Sequence, residues 1–149
     1  MLLGATVSGL AAWYLFRPER AFVDARVNEP SPEVASSVLA SGRFTPRAHA
    51  SRGSAQVLQL SNARRVLRFT AFETSNGPDV RVYLLRDTDA RDEHDLTAKG
   101  FLDLGPLKGN IGDQNYPIPA GTDISGYRAV SIWCRRFGVN FAIAGLDAP

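Results

Sequence analysis

From Ser41 onward the chain alternates between apolar and polar positions in short runs broken by turn residues. In "SAQVLQL", Leu58 and Leu60 fall on one side and Val57 and Gln59 on the other. "RVLRFTAF" sets Leu67, Phe69 and Ala71 against Arg68 and Thr70. "DVRVYLL" sets Val80, Val82 and Leu84 against Arg81 and Tyr83. A short strand is predicted at Phe101–Leu104, an extended segment near Tyr116–Pro119, and two closing strands in "AVSIWC" and "VNFAIAGL". Residues 43–49 form a further candidate strand that would carry His49 near its end. "SNA" and "TSNGPD" read as turns, because Asn-Gly accepts positive φ and Pro fixes the φ that follows. About seven period-two runs at this spacing predict an all-β fold, an antiparallel β-sandwich or barrel-like domain. No amphipathic helix is expected beyond the N-terminus, and no internal repeat is visible.

The first sixteen residues break this pattern. "MLLGATVSGLAAWYLF" is uncharged and ends at "RPER". A helix that crosses the hydrocarbon core needs roughly 20 residues, so the run is marginal in length. Trp13 and Tyr14 stand at its polar end, where amphipathic rings favour the interface, and Arg17 can snorkel from there. Pro18 discourages further helix. A cleaved signal peptide would show a basic start and an Ala-x-Ala site, and neither is present. A buried helix would need a solvent face, and the run has none. The expectation is one N-terminal transmembrane or signal-anchor helix over residues 1–17, a tether over 18–40 and a β domain over 41–149. "VNEPSPEVASS" supplies the tether's prolines and serines, with a helical turn within Glu33–Leu39 as a candidate. Arg17 and Arg20, by the positive-inside rule alone, would leave the domain in the cytoplasm.

Composition adds limits. Hydrophobic residues make up 44% and charged residues 21%, which fits a globular domain. Net charge is +2, too small to imply nucleic acid. The charge is unevenly spread. Arg43, Arg47, Arg52, Arg64, Arg65 and Arg68 lie in a stretch without acids, and Asp87, Asp89, Asp92, Glu93 and Asp95 crowd "DTDARDEHD". Such runs read as solvated faces first and as partner surfaces second.

Candidate chemistry is sparse. The one cysteine rules out an internal disulfide and cysteine-built zinc or iron–sulfur clusters. No hydrolase, zinc-protease or phosphate-loop motif is present. His49, His94 and Cys134 together match the donor count of a blue-copper site, with none to spare. In "AVSIWC", Val130, Ile132 and Cys134 share one face, with Ser131 and Trp133 on the other. A thiol on an apolar face is an inert small hydrophobe, whereas a partly exposed thiol beside Arg135 and Arg136 would favour thiolate. Asp79 in "NGPD" either satisfies turn N–H groups or sits close to Cys134 or an arginine. "GNIGDQNYPIP" places Asn110, Asp113, Gln114 and Asn115 in a glycine-rich loop that permits close approach of a ligand or of its own backbone.

"FETSNGPDVRVYL", "FLDLGPLKGNIGDQNYPIP" and "YRAVSIWCRRFGVNFAIAGL" together resemble the DM-thirteen domain family, labelled electron transfer, over about Ser41 to Leu146. That domain occurs in Skeletor-like animal proteins and as stand-alone bacterial envelope proteins. "WYLFRPERAFVDARVNE" resembles the anchor and tether of the bacterial single-domain members. The resemblance implies a β-sandwich-like domain and a near-invariant cysteine, here Cys134, as redox thiol or as ligand to haem or a metal. Asn76, Gly77 and Asp79, with Asp113, Gln114, Asn115 and Tyr116, match its other blocks and would shape a binding pocket with Trp133 and Arg135. The expected placement is the outer face of a membrane, with a redox or envelope protein as partner and no nucleic acid. The alternative is a non-catalytic envelope binding or assembly domain with a structural cysteine.

Overall fold

The computed structural model describes residues 23–32 and 35–149. Eight strands form one antiparallel sheet: β1 (Ala35–Pro46), β2 (Arg52–Leu60), β3 (Arg65–Glu73), β4 (Val80–Leu85), β5 (Phe101–Pro106), β6 (Gln114–Ile118), β7 (Ala129–Cys134) and β8 (Val139–Gly145). Their order is β5-β4-β7-β8-β1-β2-β3-β6. The sheet curls until β5 and β6 approach each other across a seam without strand pairing, so the fold is a nearly closed barrel. Because every neighbouring pair is antiparallel, the turns alternate between two ends. Segments 47–51, 74–79, 107–113 and 135–138 gather at one end, and the β2–β3 turn at 61–64 lies at the other.

The interior is apolar. Val57, Leu67, Phe69, Phe72, Val82, Leu84, Tyr116, Val130, Ile132, Cys134, Phe141 and Ala142 are among the residues that close it. On β4 and β7 the expected alternation holds: Val80, Val82 and Leu84 meet Val130, Ile132 and Cys134 inside. On β2 the inward set is Ala55 and Val57, while Leu58 is buried on the outer face opposite Val66. Two bulges shift parity. On β3 the register slips opposite Arg52–Ser54, and Ala71 takes φ 50°. Phe72 therefore turns inward where strict alternation would have placed Ala71. On β8 the slip between Ile132 and Trp133 lets adjacent Phe141 and Ala142 both join the interior.

A second, smaller core lies outside the barrel. Tyr83, Leu85, Ala129, Trp133 and Ile143 face outward, and Ala90 and Leu96 cover them. Leu96 belongs to a short helix, α1 (Glu93–Lys99), inside the segment expected to be an acidic loop. Asp92 caps it by accepting from Asp95 N–H, and Asp95 pairs with Arg91 and Lys99. The acidic run is thus largely helix capping and side-chain pairing. The arginine stretch is also spoken for in part: Arg47 pairs with Asp89, Arg52 with Glu73, and Arg65 donates to Thr122 O.

Two expectations near the N-terminus meet the structure differently. Ala35–Leu39 is strand, paired with β2, in place of a helical turn. The anchor over residues 1–17 lies outside the described residues. Among the described residues no helix is long and apolar enough to cross a membrane.

Candidate functional site

Cys134 closes β7, opposite Val80 on β4 and Val139 on β8. It is fully buried and belongs to the apolar interior cluster. The residue after it turns outward. Arg135 N–H donates to Asp79 O at 2.9 Å, and its Nε donates to Asp79 Oδ2 at 2.8 Å. Asp79 therefore meets an arginine at the barrel mouth, and the pair lies over the strand ends that enclose the thiol. Gly77 permits this turn: a Cβ there would come within 2.7 Å of Val80 Cγ2 and 3.1 Å of Phe141 Cζ. Trp133, on the opposite face of β7, is buried in the outer core and stacks near Tyr83, ring centroids 6.3 Å apart.

A metal or haem needs donors that converge. Among the described residues no group of three or more His, Cys, Asp or Glu is arranged to hold a metal ion. His49 packs against the ring of Phe141 at 4.1 Å, and His94 is exposed on α1. Two shallow surface depressions are lined by 62–65 with 117–121, and by 46–48 with 89–91 and 138–140. Cys134 lines neither. A thiol enclosed among apolar side chains, as Cys134 is, does not fit either group.

The "GDQNY" block does not line a pocket with Cys134. It holds the chain's own N-terminal segment. Residues 24–30 lie extended along 109–115 as a parallel strap. Ile111 N–H donates to Ala25 O at 3.4 Å, Val27 N–H to Ile111 O at 2.9 Å, and Glu29 N–H to Asp113 O at 2.9 Å. On its other side the same loop joins the end of β3, through Thr74 N–H to Asn110 O and Gly112 N–H to Phe72 O, each 2.8 Å. Glycine is needed here. A Cβ on Gly112, whose φ is +109°, would stand 1.7 Å from Val27 O, and one on Gly109 would stand 2.5 Å from Ala25 O.

Side chains complete the clasp. Asp24 Oδ1 accepts from Asn76 Nδ2 and Asn110 Nδ2, each at 2.9 Å, and Asn110 Oδ1 accepts Ala25 N–H at 2.7 Å. Glu29 Oε1 accepts from Lys108 Nζ at 2.8 Å and from Asn115 N–H at 3.0 Å. Arg68 is the pivot. It is 7% exposed, and its Nη1 donates to Glu29 O, Pro30 O and Asn115 Oδ1. Its Nη2 meets Asp113 Oδ2 at 2.9 Å. Asp113 Oδ1 accepts Ala71 N–H, so one carboxylate braces both the β3 bulge and the strap. Beneath them, Gln114 is fully buried and donates to Gly109 O and Gly112 O. Its Oε1 accepts from Tyr116 OH. Burial holds the Tyr116 phenol far above its ordinary value, so it stays a neutral donor.

Of the sequence-derived candidates, Asn76, Asp113 and Asn115 belong to the strap clasp. Gln114 and Tyr116 support it from within. Gly77, Asp79 and Arg135 close the mouth above Cys134. Arg68, Asp24, Glu29 and Lys108 were not singled out as site residues. The signal that could have found Arg68 is an arginine set directly between Leu67 and Phe69.

With fold and geometry in view, the family comparison decides the chain's membership. The model of the family described as "Electron transfer DM13" matches residues 43–146. The chain belongs to the DM13 family. No curated protein and no solved structure matches it. The matched region runs from within β1 to just past β8, so the DM13 domain corresponds to the barrel, and the strap lies outside it.

Two predictions arise here. Cys134→Ser would place a hydroxyl in the apolar interior, a change that costs about 1–3 kcal/mol where no partner is available. Urea unfolding of the variant should show that loss; a neutral substitution would mean the sulfur faces a polar pocket. The second concerns pH. Partial burial of Glu29 opposes its charge, but Lys108 and the Asn115 N–H outweigh it and lower its pKa. Hydrogen bonds from Asn110 and Asn76 lower that of Asp24. Both carboxylates thus stabilise the clasp fully above their unfolded values, and the contribution fades as pH falls through the depressed folded ones. Carboxyl NMR titration should give both midpoints below their ordinary values, and protection of the Val27 amide should fall over the same acid range.

Proposed function

We propose that this DM13 protein is a membrane-held, extracytoplasmic module of an electron-transfer system. In this reading residues 1–17 anchor it, and the barrel binds and positions a redox or envelope partner without carrying an exposed redox centre of its own. Membership of the electron-transfer family supports the redox setting. The observation that carries the role is the complete enclosure of Cys134 among apolar side chains. Thiol exchange needs an accessible thiolate, and an apolar enclosure opposes both access and charge. In this reading Cys134 is a core residue, and the Asp79–Arg135 pair secures the strand ends above it.

A second reading makes Cys134 the redox thiol itself. It draws on the family's label and on Arg135 and Arg136 directly after the cysteine. One experiment separates the two. The full chain is purified in mild detergent, and its visible spectrum, metal content and thiol alkylation are measured beside Cys134→Ala. The first reading expects a colourless, metal-free protein whose thiol reacts only after unfolding, and a variant that retains partner capture from membranes. A chromophore or stoichiometric metal that vanishes in the variant would overturn it in favour of the second. So would rapid alkylation of the folded protein.

A further inference from the structure

The barrel end that receives the strap has an unusual surface. Val23 and Phe137 are 61% and 66% exposed, the highest values among the exposed large hydrophobic residues described. They come from distant parts of the chain, yet both stand at this end. Val23 precedes Asp24, which is held by Asn76 and Asn110. Phe137 tips the β7–β8 turn, where Arg135 is tied to Asp79. The turn 76–79 therefore links the two positions: one end holds the strap and the other holds the hairpin. Arg135 and Arg136 immediately precede Phe137 in sequence.

We propose that this end of the barrel rests on the membrane, with Phe137 and Val23 inserted at the headgroup–acyl boundary. The proposal rests on the anchoring function assigned to residues 1–17 above. Chain continuity selects lipid as the occupant. The strap fixes Asp24 to the barrel, so only Arg17–Val23 bridges to the apolar run, a span of at most about 24 Å when fully extended. The end that carries the strap is therefore the end kept near the bilayer. A phenyl ring and a branched aliphatic side chain gain by leaving water there, and adjacent arginines can lie at headgroup level with their stems along the apolar zone. A barrel on a free tether would present all its faces equally. Pinned at Asp24, it has one face toward lipid and the β2–β3 turn pointing away.

The full chain is reconstituted into phosphatidylcholine vesicles containing phosphatidylglycerol. Phe137→Cys, Val23→Cys and Ser61→Cys variants carry a bimane label, and quenching by lipid-borne nitroxides is compared. Unvaried protein, whose only thiol is buried, serves as the blank. Strong quenching at 137 and 23, several-fold above that at 61 in the distal turn, is the expected result. Equal, weak quenching at all three positions in vesicle-bound protein overturns membrane docking while leaving the anchor intact. Failure of the unvaried chain to float with vesicles after a salt wash overturns the anchor and the docking together. Because Val23 and Phe137 are exposed, these variants test the contact without removing a core residue.

Discussion

Arg68→Ala should release the strap and lower barrel stability by about 3 kcal/mol, toward the low end of what breaking a buried ion pair costs. Arg68 lies almost wholly out of solvent, and its loss would leave Asp113, Asn115 Oδ1 and the carbonyls of Glu29 and Pro30 without their shared donor. Asp113 remains 27% exposed, so water can take up part of the deficit, which is why the upper end is not expected. Arg68→Lys should be intermediate in name only. An ammonium restores charge but cannot spread donors across four acceptors in a planar fork. Urea unfolding measures the stability change, and hydrogen exchange at Val27 and Glu29 measures the strap. Unchanged exchange at those amides would show that Arg68 is no pivot.

Gly112→Ala should undock the strap more selectively. The methyl group would collide with Val27 O, and the φ of +109° is strained for any residue bearing a Cβ, at about 1–3 kcal/mol. Relief comes most readily by letting residues 24–30 leave, because the Gly112 N–H to Phe72 O bond ties the loop to β3. The expected pattern is lost protection at Val27 and Glu29 with protection of Val82 and Ile132 retained. Limited proteolysis should then cut within 24–30. Loss of protection throughout the barrel would mean that the strap and sheet unfold as one unit.

These effects explain what the sequence made visible and what it concealed. Alternation identified the inward faces of β4 and β7, because both strands run without interruption between apolar neighbours. It failed where a bulge changed parity: Ala71 was read as inward, yet its positive φ gives that position to Phe72. It also missed α1, whose one buried apolar residue is Leu96, set among acids. The "GDQNY" loop was recognisably built for close approach. Amides and carboxylates that grip a ligand have the same composition as those that grip a stretch of the same chain, however, and only the fold shows which is present. The strap itself was hidden by the prolines and serines that begin at its end, with Pro30, Ser31 and Pro32, and resemble a free linker until Asp24 and Glu29 acquire partners. The strand face of Cys134 pointed inward but left open whether it meets apolar side chains or a polar pocket, which the packing decides, while the Asp79–Arg135 pair above it required the β4–β7 register.

Pairing of β1 with β8 has a consequence for how the molecule is made. Phe44 lies across from Ala144, and Ser41 bridges to Asp147. As the polypeptide emerges from the ribosome, β1, β2 and β3 can zip together early, since their pairings are local. The other edge of β1 must wait for β8, which lies far along the chain. Pairing across such sequence separation slows folding and prolongs exposure of an unpaired edge. The newborn protein thus carries an adhesive flank until β8 has emerged, and a chain cut short within β8 would keep that flank for good.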